Sequence, residues 1–202
     1  MNLVILATFL VLCLIVAVSV RSTKNKYEQE ERAFWEKERS ANSVRRKSLD
    51  GLDYIKIPLD QLPTDLHPDN DTIASCLDTI GELSKSPIVN LTGISNTDLK
   101  LKYGAPNITL LTLYDQRYTL LASTLQKWAA ALMDLDEKEA ARTVLEYAVS
   151  TKTDVSSTYK TLASIYSEAG DTASIQGLIP VAESLNTPLK DSIVSNLKSY
   201  LD

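Results

Sequence analysis

The chain has 202 residues, 44% of them hydrophobic and 23% charged, with a net charge of −5. That length suits one domain plus an appendage. Residues 21–47 carry +4 and the remainder −9, so the bulk of the chain would repel phosphates, which argues against nucleic-acid binding.

The apolar share is concentrated at the amino terminus. Leu3 to Val20 is eighteen residues without a charge. As a helix it reaches about 27 Å, close to the roughly 30 Å of a bilayer core. Ala17-Val18-Ser19 would serve as a cleavage site, and cleavage would leave a secreted or periplasmic-type binding domain. Signal peptides want a basic leading region, however, and no Lys or Arg precedes the run. Leu12 is too large to precede a lipidated Cys13. Residues 1–20 are therefore expected to be an uncleaved transmembrane anchor. Arg21, Lys24 and Lys26 follow the span, which predicts an outside amino terminus and a cytoplasmic carboxy-terminal domain. With Cys13 in the span, Cys76 has no partner for an intrachain disulfide. Three Asn-x-Thr sequons, at Asn70, Asn90 and Asn107, would matter only in a eukaryotic secretory setting.

Residues 21–47 lack Gly and Pro and read as a charged juxtamembrane helix, a solvated stalk. Tyr27, Phe34 and Ala41 form one thin seam, too short for a coiled coil. Arg21, Lys24, Lys26, Arg45, Arg46 and Lys47 are the candidates for contact with anionic lipid, at roughly 1 kcal/mol per charge. In residues 48–71, Asp50-Gly51 marks a turn and Tyr54 to Ile57 alternates as a short extended run. Pro58, Pro63 and Pro68 then exclude regular helix, so the segment is expected to be an extended linker. Asp65, Asp69 and Asp71 do not fit a calcium loop, whose sixth and twelfth positions would be Asn70 and Cys76. Residues Asp69 to Asp71 are better placed to cap the next helix. His67, the single histidine, has no companion ligand.

From residue 72 onward the expected domain is all helical. A helix over 72–85 turns Ile73, Cys76, Leu77, Ile80 and Leu83 inward. A short one runs from a Ser95 cap to Tyr103, ended by Gly104. A heptad-like series from Asn107 to Asp134 predicts one long helix. Hairpins of about 119–150 and 156–185 follow, the second turning at Gly170-Asp171, with Asp154 or Ser156 as its cap. Pro188 is expected to open a final helix to residue 201.

The two hairpins repeat at 34 residues. Leu125, Trp128, Ala129, Leu132, Ala141, Leu145 and Ala148 match Tyr159, Leu162, Ala163, Tyr166, Ile175, Ile179 and Ala182. This pattern of bulky and small positions resembles the tetratricopeptide repeat family over about residues 119–201, with 188–201 as its capping helix. The first copy lacks the turn Gly, Ile175 replaces a small residue, and Pro180 interrupts the last helix. One period earlier, Asp98 and Asn107 would fall on core positions, so no third repeat precedes. The resemblance implies a concave face that binds a protein or peptide, here Gln126, Lys127, Ala130 and Met133 with Lys160, Ser164 and Ser167.

No Gly-rich phosphate loop, nucleophile–histidine–acid set or paired metal ligands are present in the sequence, so neither catalysis nor a cofactor is expected. The expected job is that of a membrane-tethered scaffold or adaptor. The alternative is an accessory or structural subunit of an integral membrane complex.

Overall fold

The computed structural model describes residues 3–201, with side chains from Ala7 onward. Met1, Asn2 and Asp202 lie outside the described residues, and with them the first two residues of the expected anchor and the last of the helical domain. Among the described residues eight α-helices follow one another: α1 Leu3–Ser43, α2 Asp71–Ser84, α3 Asn96–Tyr103, α4 Ile108–Asp134, α5 Lys138–Ser150, α6 Ser156–Glu168, α7 Thr172–Glu183 and α8 Lys190–Lys198. Ala105–Asn107 forms a 3-10 turn before α4. Tyr54 and Val89 form a single antiparallel bridge, and no strand occurs among the described residues.

The chain divides into two compact units. One is the chain up to Lys47 together with Ser95–Ile108; the other is Ser48–Ile94 together with the chain from Thr109. Residues 95–108, counted from sequence within a domain starting at residue 72, thus cluster with the stem.

In the first unit α1 runs unbroken for 41 residues, about 60 Å, from the apolar run into the charged segment. It is long and apolar enough to cross a membrane, and none of its apolar window is buried inside the protein. The stem differs from a solvated stalk reaching residue 47. Its helix stops at Ser43, and its last turns pack on α3, so that Ala41 has no exposed surface and Leu99 is buried. Polar contacts fix the pair. Glu38 accepts from Lys100 Nζ and from Thr97 Oγ1 (2.6 Å), and Lys37 Nζ donates to Asp98 Oδ1 (2.7 Å). The non-helical residues beyond are held by backbone. Lys47 N–H donates to Tyr103 O, Ala105 N–H to Val44 O, and Asn107 Nδ2 to both Lys47 O and Tyr103 O at 2.8 Å. Gly104, at φ +93, lies so close to the Arg45 backbone that a Cβ would collide with it.

The second unit is built round one apolar core. Leu125, Trp128, Ala129 and Leu132 of α4, Ala141 and Leu145 of α5, Leu162 and Ala163 of α6, and Ile175 and Ala182 of α7 have no exposed surface. Tyr159 is 1% exposed and Ile179 only half-buried, packed against the core. Ile73, Cys76, Ile80 and Leu83 add the inner face of α2, while Leu77 is half-buried. Burying each large side chain contributes about 1.5–3 kcal/mol, and this sum, rather than helix propensity, holds the short helices. The proline-rich segment is part of the same body. Leu62 is buried, and Ile55, Ile57 and Leu66 pack against the core.

The 34-residue period reaches the backbone. Between α4 and α5, Asp136 N–H bonds Met133 O and Glu137 N–H bonds Leu132 O. Between α6 and α7, Gly170 N–H bonds Ser167 O and Asp171 N–H bonds Tyr166 O. Gly170 takes φ +70 in one turn, and in the other Asp136 takes φ +61 where the repeat has no glycine. Non-glycine residues pay for that region sterically, Asp less than most.

Three local expectations are corrected. Residue 155 is the N-cap of α6 and makes no side-chain cap; neither Asp154 nor Ser156 caps it, and Thr153 Oγ1 instead accepts from Val155 N–H. Pro188 lies in a turn in which Thr187 Oγ1 accepts from Leu189 N–H, so α8 begins at Lys190; it stops at Lys198. Asn107 belongs to the 3-10 turn, not to α4. The α2 cap is Asn70, whose Oδ1 accepts from Thr72 and Ile73 N–H.

Candidate functional site

The six basic residues expected at the membrane surface separate into two groups. Arg21, Lys24 and Lys26 follow the apolar run on α1, all exposed. Lys24 and Lys26 form loose pairs with Glu28 (3.9 Å) and Glu30 (3.8 Å), which screen part of their charge. Arg45, Arg46 and Lys47 lie past the end of α1, and Lys47 Nζ donates to Leu101 O. From Arg21 to Ser43 the helix rises about 33 Å. The two groups are therefore separated by several Debye lengths of helix, so one flat charged surface square to α1 would not meet both.

The face expected from the repeat divides as well. Gln126 is half-buried, and its Oε1 accepts from Thr158 Oγ1 at 2.8 Å, so it joins α4 to α6 instead of facing a partner. Met133 packs against the core. The Ser164 hydroxyl points to Glu168 at 3.5 Å. Lys127 and Ala130 on α4, with Lys160 and Ser167 on α6, are exposed. The reach of this face for a partner thus rests on Lys127 and Lys160.

The sequence reading missed a cleft in the second unit. It encloses about 360 Å³ between the extended segment Asp53–Lys56, the loop at Asn90 and Thr92, and the carboxyl ends of α5 and α7. Its walls are fixed by polar bonds. Asn90 Nδ2 donates to Thr151 O (3.0 Å) and Lys152 O (3.1 Å), Tyr118 Oη to Thr151 O and Tyr159 Oη to Thr153 O (2.9 Å). These bonds hold Lys152 at φ +59, a left-handed conformation that lysine adopts at a cost. Asn186 Nδ2 donates to Gly93 O (2.9 Å), and Gly93, at φ +77, has no room for a Cβ beside it. Tyr147 Oη donates to Lys56 O at 3.2 Å, and burial pushes its phenol up to about 12. The residues after α5 carried no sequence signal, because a positive φ at lysine has none.

Other reactive groups are accounted for. Cys76 is buried, and burial pushes its thiol above the ordinary range, the reverse of an activated nucleophile. His67 Nε2 lies 2.9 Å from Glu137 Oε1. Among the described residues no group of three or more His, Cys, Asp or Glu side chains could hold a metal ion. Compared with family models, with curated proteins and with solved structures, the chain matches none.

Proposed function

We propose that the chain is a membrane-tethered protein–protein interaction module, a scaffold or adaptor without catalytic activity. What supports the reading most is α1: its apolar length has no protein cover, and the same helix continues into a stem locked onto α3. An apolar helix surface uncovered from Ala7 onward is what a lipid surround would take up. In this reading α4–α7 are two tetratricopeptide-like hairpins and α8 is their cap. The shared turns after α4 and α6 and the α4–α6 bond through Gln126 favour it. The basic flank after the span supports an amino terminus outside and a body in the cytoplasm. Tethering raises the effective concentration of any partner at the same membrane.

One observation favours an accessory subunit of an integral complex. Phe34 and Trp35 are more than half exposed on the stem, stacked edge to face at 5.3 Å. They stand about 20 Å beyond the apolar run, too far for the lipid interface.

The test is co-purification of the full-length chain from its own membranes, compared with Lys127→Glu/Lys160→Glu and with Phe34→Ser/Trp35→Ser. The scaffold reading expects the first pair to lose a partner that the second retains. The opposite pattern favours the subunit reading, and an unchanged partner set with Lys127→Glu/Lys160→Glu removes the α4–α6 face from the account.

A further inference from the structure

The four charged side chains round the cleft are two of each sign: Asp53, Lys56, Lys152 and Asp154. Among the described residues none of them enters an ion pair. The carboxyl ends of α5 and α7 open onto the same space, and a helix carries about half a negative charge there. The volume lies at the small-molecule end of binding-site sizes, too small for a partner helix. The backbone of its walls is pinned before any ligand arrives, which limits the ordering cost of binding to the side chains, of which Asp53, Lys56 and Lys152 are exposed.

We propose that this cleft binds a small zwitterion of the amino-acid or short-peptide class. Asp53 and Asp154, backed by the two helix ends, take its ammonium group, and Lys56 and Lys152 take its carboxylate. A lone cation would leave both lysines beside it, and a lone anion would meet the helix ends. A ligand carrying both charges uses all four side chains. The site is separate from the Lys127 and Lys160 face, so neither assignment depends on the other.

The test is calorimetric titration of the full-length chain in lipid nanodiscs with trialanine, with L-alanine and with trialanine blocked at both ends. Free trialanine or alanine is expected to bind, and the blocked peptide at least about tenfold more weakly, the loss of one charged hydrogen bond. Binding by trialanine alone assigns a peptide, and binding by alanine alone assigns an amino acid. Asp154→Asn and Lys152→Met are each expected to weaken binding about tenfold without a shift in melting temperature. If either variant fails to fold, Asp53→Asn and Lys56→Met on the exposed segment give the same readout. No binding by either free ligand overturns the proposal. Equal binding of free and blocked trialanine, or binding indifferent to folded charge variants, does so too.

Discussion

Trp128 is the largest fully buried side chain, yet its indole Nε1 has no hydrogen-bond partner among the described residues. A buried donor left unmade costs about 1–3 kcal/mol, so part of what the ring contributes by packing is cancelled at one atom. Trp128→Ala should destabilise the fold by about 3–5 kcal/mol, as large core truncations do. Trp128→Phe removes the stranded donor along with one ring and should cost less than half as much. Urea denaturation followed by circular dichroism compares the two; equal losses would contradict this account of packing at Trp128. Asparagine shows the same accounting at the sequons. Asn90 and Asn107 each give their amide nitrogen to two carbonyls, and Asn107 is buried. A glycan on that nitrogen would displace bonds the fold uses, so these triplets serve structure.

Among the elements, those marked by local chemistry were legible. Ser95 and Gly104 bracket α3 as their side-chain acceptor and positive φ require. The apolar spacing located the core faces of α4 to α7, since burial follows helical period. What escaped was set by contacts remote in sequence or by competing turns. Nothing within Lys37–Lys47 announces that α3 will cover it, and only the unbroken Ala41 seam hinted at a buried side. The start of α8 slipped two residues past Pro188 because a threonine hydroxyl formed a turn first. The cleft is the extreme case: four segments far apart in sequence meet there, and no motif joins them. Where stem and α3 meet, Gly104 is the narrowest point. Gly104→Ala adds both a forbidden φ and a clash with the Arg45 backbone, and should loosen that contact by about 1–3 kcal/mol. Hydrogen exchange should then quicken in α3 and at Lys47, with the amides of α6 unchanged. Uniform quickening across both units would contradict so local an effect.

At the level of the whole chain, tyrosine sets the alkaline limit. Burial pushes Tyr118 and Tyr147 up to about 12, and Tyr159 and Tyr166 higher still. Each folded phenol holds its proton more tightly than an unfolded one. Their contribution is therefore complete below the unfolded value of about 10 and is lost as pH climbs through the folded values. Unfolding of the second unit is expected between about pH 10 and 12, seen as a late, cooperative ionisation at 295 nm by part of the nine tyrosines. A smooth titration of all nine near pH 10 would contradict it.

In the membrane-tethered reading proposed above, the lock between stem and α3 also decides where the protein could be released. A protease cutting between Arg21 and Arg32 would shed a soluble fragment that keeps Lys37, Glu38 and Ala41 on α3. A cut one or two turns later, at about residues 36–39, would remove Lys37 and Glu38 and with them the contacts to Asp98, Thr97 and Lys100. The stem thus has one stretch where severance spares the contacts to α3, and immediately beyond it another where severance takes them away.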